Sequence, residues 1–191
     1  DSFRPRLVGE YLLTYLFNII VMEKIHGSNV SIVGTRKDGK FNYQLGSRKR
    51  WVSEDENFNN FQALFKEHFR QIEDLFTEIA GDRTDCVIRL YGEVYGGQYG
   101  PDKVKGAFRT QSEPNYCAKN DFAFFDIAID GDYMPILEMI EVTLKHGLKV
   151  PPVIFQGSMA EFLKEFKDIE NFQSRVSEEF YGLENIDVSG K

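Results

Sequence analysis

"VMEKIHGSNVSIVG", residues 21–34, has the apolar, β-branched character of two strands joined at a turn, with a lysine and a histidine set into it. On a strand, successive side chains point to opposite faces. Met22, Lys24 and His26 then share one face, and Val21, Glu23 and Ile25 the other. A half-buried lysine loses hydration, which favours the free amine, and a free amine is a nucleophile suited to phosphoramide or imine chemistry. An edge strand with Lys24 reaching into solvent is the plainer reading of the same pattern. Gly27 permits close backbone approach, and Asn29 adds an amide to the same strand-turn.

Downstream, "IVGTRKDGKFNYQLGSRKR" (32–50) reads as two strands meeting at Asp38-Gly39, a hairpin dipeptide. The same stretch imitates a phosphate-binding loop, GxxxxGK. Phe41 stands where that loop needs Ser or Thr, and a strand follows where it needs a helix, so the loop is rejected. In 55–81, Phe58, Phe61, Phe65, Phe69, Ile72, Phe76 and Ile79 recur at steps of three and four. That spacing predicts an amphipathic helix ended by Gly81.

"DCVIRLYGEVYGG" (85–97) predicts a strand of about eight residues closed by its glycine pair. A long loop is expected through 96–120, then a strand at "DFAFFDIAID" with its turn at Gly131-Asp132. A helix is expected over 134–146, stopped by Gly147, then an edge strand at "KVPPVIF". Ser158 and Glu161 form a capping box at the start of a further helix. The polar C-terminal residues carry no assignment. Hairpin-joined strands with interspersed helices indicate an α+β fold with mostly antiparallel sheets.

The chain has 191 residues, 42% of them hydrophobic, with 17 phenylalanines. That composition fits one folded domain with a substantial core. A net charge of −7 argues against a general nucleic-acid coat protein but leaves room for a local basic groove. Cys86 and Cys117 form no CxxC pair and read as free thiols in a reducing, intracellular compartment. The longest apolar run, "LLTYLFNIIVM", is about half the length a membrane helix needs and lacks signal-peptide flanks. The first residue is Asp1 rather than Met, so the chain is expected to be trimmed or incomplete at that end.

The order E-K-I-H-G-S-N (23–29) resembles the nucleotidyltransferase motif KxDG in its RNA-ligase form, KxHGxN. Three further motifs follow in order. "GSRKR" resembles the family's arginine motif, with Arg48 the best match. "YGEVYGG" resembles (F/Y)GE(L/V)(F/Y)G and aligns Glu93. "DFAFFDI" resembles DFxxFDI and aligns Phe125. "ENFNNFQAL" is similar to the segment after the arginine motif. The chain therefore looks like a member of the RNA ligase 2 family of covalent nucleotidyltransferases, strongly over roughly residues 20–130 and faintly to the C-terminus. Taken alone, the residues also have plain readings: Arg48 as a solvated hairpin end, Glu93 in a salt bridge with Arg89, Phe125 as core.

The resemblance implies a nucleotidyltransferase domain spanning 1–191, with ATP bound between antiparallel sheets. Lys24 would attack the α-phosphate and carry AMP, with Mg²⁺ or Mn²⁺ assisting. Arg48 would contact the nucleotide or the RNA end, and Glu93 the ribose or a metal-bound water. Phe125 would stack on adenine. The backbone at Glu23 and Ile25 would read the base edge, with Asn29 beside them. His26, in place of the aspartate of DNA ligases and capping enzymes, would orient groups in later steps. The implied partner is RNA with 5′-phosphate and 3′-hydroxyl ends, held as a nicked duplex by a monomeric protein in RNA repair or editing. The family's EGxVxK motif, and the KxK motif that follows it, are not found in that order in the sequence and are expected just after Lys191. Their absence keeps open a catalytically inactive nucleotide- or RNA-binding homologue. A capping-enzyme or DNA-ligase type of nucleotidyltransferase is the other alternative.

Overall fold

The computed structural model describes residues 18–101, 104–111, 114–167 and 173–184. Asp38 and Gly39 both take left-handed backbone, with φ 49° and 77°. Two such residues make a turn whose twist matches that of the strands it joins. Accordingly β2 (Ser28–Lys37) and β3 (Lys40–Ser47) pair antiparallel, with Lys37 opposite Lys40. The phosphate-loop imitation is this hairpin.

On its other side β2 pairs antiparallel with β4 (Cys86–Gln98), β4 with β5 (Cys117–Ile129), and β5 with the short β6 (Asp132–Tyr133). The result is a five-stranded sheet in the order β3-β2-β4-β5-β6. A separate two-stranded sheet joins β1 (Asn18–Met22) to β7 (Val153–Ser158), again antiparallel. All pairing is antiparallel with helices packed outside, so the fold is α+β as the sequence implies.

Alternation along the strands decides where the core sits. Ile88, Leu90 and Val94 of β4 are fully buried on one face, with Val30 and Ile32 of β2 beside them. Helices α1 (Phe61–Glu67), α2 (Phe69–Ala80) and α3 (Ile136–Lys145) supply Phe61, Ile72, Leu75, Phe76 and Met139 to the same cluster. A smaller cluster of Ile25, Tyr95, Tyr116, Cys117 and Ala123 is closed by Val176 of α5 (Val176–Tyr181). Between β7 and α5, α4 (Met159–Glu165) starts with the expected Ser158–Glu161 capping box.

Several boundaries differ from expectation. The aromatic periodicity of 58–79 is not one helix. Asn59 and Asn60 are left-handed, so α1 starts at Phe61, and His68 (φ −102°) interrupts the run where its ring packs edge-on to Phe122, 5.0 Å away. Strand β4 has 13 residues rather than eight. It runs through the glycine pair because Gly96 and Gly97, at φ 76° and 94°, form an irregularity in the ladder instead of ending it. The β5–β6 turn uses Asp130-Gly131, one residue early. Helix α3 and the stop at Gly81 are as expected. Cys86 and Cys117 are buried free thiols. Of "LLTYLFNIIVM", 18–22 form β1 and the remainder lies outside the described residues. No helix among the described residues is long and apolar enough to cross a membrane.

Gly34 of β2 faces Phe76, and a β-carbon there would lie 2.5 Å from a ring carbon. Gly34→Ala is expected to overpack this contact and lower stability by about 1–3 kcal/mol in urea unfolding. Adding Phe76→Leu to Gly34→Ala should cost less than the sum of the two single changes, because both act on one contact.

Candidate active site

The site is built on residues 23–29, which link the two sheets. Residues 23–26 are not in a strand, contrary to the sequence reading, yet the alternation survives. Glu23 and Ile25 are buried, while Lys24 and His26 are exposed. The half-burial expected for Lys24 is therefore not found. The inward residues explain why. The Glu23 amide donates to the Pro152 carbonyl at 2.9 Å, and its carboxylate accepts the Arg175 amide at 2.8 Å. Ile25 packs in the smaller core cluster. With these two anchored inside, their neighbours point to solvent. The His26 amide donates to the Tyr116 hydroxyl at 3.0 Å, and burial pushes the Tyr116 phenol up to about 12.

Gly27 is where the link meets the larger sheet. A β-carbon on Gly27 would lie 2.1 Å from the Val94 carbonyl oxygen, so only glycine allows this approach. One residue before Val94 stands Glu93, directly opposite Asn29 in the β2–β4 ladder. The Gly27 backbone lies against the Glu93 side chain, and the Gly27 amide and Asn29 side chain both favour the charged form of its carboxylate. Burial raises the Glu93 pKa, opposed by the Gly27 amide, the Lys24 charge and Asn29. Glu93 forms no ion pair with Arg89 among the described residues, so the salt-bridge reading fails.

Arg48 sits in the turn that follows β3, where Ser47 and Arg50 bond backbone to backbone at 2.8 Å. A cleft of about 480 Å³ gathers Asn29, Arg48, Lys49, Phe58 and Glu93. A second cleft, of about 420 Å³, gathers Glu23, Lys24, His26, Tyr116 and Ile154. The 24–29 link joins them.

The fold thus brings the predicted residues together in two adjoining groups. Neither Ile25 nor Phe125 is among the residues that line the two clefts. The β4–β5 register passes from Tyr91–Asp126 to Gly92–Phe124, which leaves Phe125 as the extra residue of a bulge. Phe125 is half-buried and belongs to neither core cluster, so the plain-core reading fails for it. Tyr116 went unnoticed in the sequence; Phe58 and Asn59, which bonds Ser28 Oγ at 2.8 Å, were noticed only as part of a helical pattern and a family-like segment, not as site residues. Their partners are far away in the chain, so no local pattern marks them as such. Lys49 stood inside a basic run already singled out.

Among the described residues no three His, Cys, Asp or Glu side chains are grouped to hold a metal ion. Glu93 alone offers a carboxylate in the cleft. That fits a magnesium-type ion, which keeps most of its waters and takes its other ligands from substrate phosphates.

The raised Glu93 pKa has a definite sign in stability. Between its unfolded value, near 4.5, and the higher folded value, the folded state binds more protons. Stability contributed by this group therefore falls as pH rises through that window. Glu93→Gln, which cannot ionise, should gain stability relative to the parent chain as pH rises from below 4.5 toward neutrality. Thermal unfolding across pH checks this. A difference that is flat or of opposite slope would contradict it.

A search of curated proteins returns no match. Among solved structures, the chain is similar to Naegleria gruberi RNA ligase with pyrophosphate, at a TM-score of 0.59 and 15% identity over 93% of this chain and 48% of that one. It is also similar to a glutamate-to-alanine variant of that enzyme with AMP and Mn, at a TM-score of 0.56 and 17% identity over 84% of this chain and 44% of that one. A second such variant, with ATP and Mn, gives 0.56 and 15% over 84% and 44%. At these identities the likeness speaks for the fold, and the chain spans about half the length of these relatives. The family model for RNA ligase matches residues 17–186, nearly the whole sequence, and the chain belongs to the RNA ligase family.

Proposed function

We propose that this chain is the adenylyl-transferring part of an ATP-dependent RNA ligase. The observation that carries the reading is the junction at Gly27. It places Glu93, Asn29 and Arg48 around one cleft and Lys24 within electrostatic reach of Glu93. Adenylyl transfer needs an amine, a cation for the phosphates and a carboxylate for the ribose or a hydrated ion. The Naegleria complexes with ATP, AMP and Mn lend support for a nucleotide and a divalent ion.

In the proposed reaction the unprotonated Lys24 amine attacks the α-phosphorus of ATP. An N–P bond forms, the bond to pyrophosphate breaks, and the amine loses a proton to solvent. An RNA 5′-phosphate oxygen then attacks the same phosphorus, the N–P bond breaks, and the lysine leaves as an amine with a proton taken back from solvent. A 3′-hydroxyl attacks the activated 5′-phosphate and gives its proton to solvent, the new phosphodiester forms, and AMP leaves. Arg48 would hold phosphate charge. The family resemblance would give Phe125 the flat face for adenine, so the base would extend beyond the two clefts, neither of which Phe125 lines. The exposed His26, beside Lys24, would position groups in the two later steps. Glu23 keeps the lysine's backbone in place through its bonds to Pro152 and Arg175. A divalent ion held by Glu93, directly or through water, would offset charge on the phosphates.

Residues 1–191 taken by themselves include no EGxVxK motif followed by KxK, and a protein of these residues alone would offer the phosphates fewer cations where charge develops. The chain is therefore expected to label weakly with α-labelled ATP and Mg²⁺. Lys24→Ala should abolish the label, and Arg48→Ala should reduce it about tenfold, the usual effect of losing a charge-assisted hydrogen bond. Label that persists in Lys24→Ala would refute the assignment. Strong Lys24-dependent label would show that the two motifs are dispensable.

A further inference from the structure

The sequence holds a single tryptophan, Trp51, and its side chain is 55% exposed. A tryptophan left open in a folded chain forgoes a large apolar burial. Trp51 is nonetheless held in place. Its backbone bridges Gly46, and the indole lies against that glycine, whose absent β-carbon would sit 3.5 Å from the ring. Arg50 donates to the Trp51 carbonyl at 3.2 Å and forms a two-pronged ion pair with Glu56. The Val52 amide bonds the Leu45 carbonyl at 2.8 Å. The ring is thus seated on Gly46, and Trp51 lines a cleft of about 340 Å³ together with Leu45, Val52, Glu54, Gln62 and Lys66.

Immediately before it, Arg48 and Lys49 line the cleft that holds Glu93, and neither forms an ion pair with a described residue. In a chain of net charge −7, consecutive cations beside an exposed indole stand out. Cations spaced along a groove with an adjacent aromatic face are the pattern that binds single-stranded nucleic acid. The charges track the backbone and the ring stacks on a base.

We propose that Trp51 is a stacking platform for a base of the RNA strand whose phosphates run along Arg48 and Lys49. The choice of RNA over DNA rests on the ligase reading. The platform itself rests on the ring, its seat and two cations that form no ion pair with a described residue. The stack would hold, in the cleft that Trp51 lines, a base of the strand whose phosphates leave the Glu93 cleft along Arg48 and Lys49, and so fix the register of its end.

As the only tryptophan, Trp51 reports on its own contact. The test titrates the full chain with a short 5′-phosphorylated oligoadenylate at low salt, following tryptophan fluorescence. Inorganic polyphosphate serves as a probe with charge but no bases. Quenching by the oligonucleotide and little or none by polyphosphate is expected. By a label-free binding assay, Trp51→Ala should weaken oligonucleotide binding about fivefold or more, and Trp51→Phe should restore most of it. Lys49→Ala should lower the salt dependence of binding by about one ion. No binding, or binding with unquenched Trp51 and equal affinity in Trp51→Ala, would overturn the proposal. Equal affinity for the matching DNA strand would keep the platform and remove its preference for RNA. ATP labelling of Lys24 without RNA reports on the ligase reading alone, so the two can fail separately.

Discussion

The contact between Gly27 and Val94 governs the rest of the site. Backbone meets backbone there with no room for a side chain. The approach brings the Gly27 amide onto Glu93, the next residue of β4, and sets Asn29 opposite it. Because β2 lies between β4 and β3, the end of β3 then carries Arg48 to the same cleft. Lys24 follows from the other direction, three residues back along the chain. One tight approach thus orders four side chains from three strands and a linker.

Long-range polar bonds hold that linker from beneath. Glu23 accepts the Arg175 amide just before α5, and Ser177 of α5 bonds the Tyr116 carbonyl at 3.0 Å. Tyr181 donates to Asp121 at 2.7 Å and meets the Tyr95 hydroxyl at 2.8 Å, while Lys149 pairs with Asp121 at 2.9 Å. Burial drives the Tyr181 phenol far above its ordinary range, so it stays a neutral donor. Buried polar groups of this kind are costly unless satisfied, and here they are bonded to one another. The network ties α5 to β4 and β5 and gives the smaller cluster a lid. Ile25 is buried under it, and Lys24 and His26 are turned outward as a result.

The distribution of charge fits the same division of labour. The body is acidic, but 48–50 concentrates three cations at one end of β3. Glu56 neutralises Arg50 and leaves Arg48 and Lys49 for a ligand. Among the described residues a single carboxylate, Glu93, lines the cleft with them, partly buried, its charged form favoured by the neighbouring Gly27 amide and Asn29 side chain. Cations and a restrained carboxylate around open volume can bind phosphates and orient a sugar or a hydrated ion, work that an acidic surface alone would repel.

Local chemistry made much of this legible in the sequence. Asp38-Gly39 could form little except a hairpin, Ser158 and Glu161 little except a helix start, and the order of four motifs pointed to the ligase family. Those features depend on near neighbours and on residue type. Burial did not follow the same way. Lys24 was expected to be half-buried because its segment looked like a strand, but Glu23 and Ile25 were claimed by partners up to 152 residues away. The break at His68 answers to Phe122, the length of β4 to the strands on either side, and the displacement of Phe125 to a bulge against β4. Sequence alone determined the class of fold and nominated the residues proposed to carry the chemistry. Which of them face solvent, and which share a cleft, was decided by tertiary structure, because close approach and buried hydrogen bonds join groups that the chain keeps far apart.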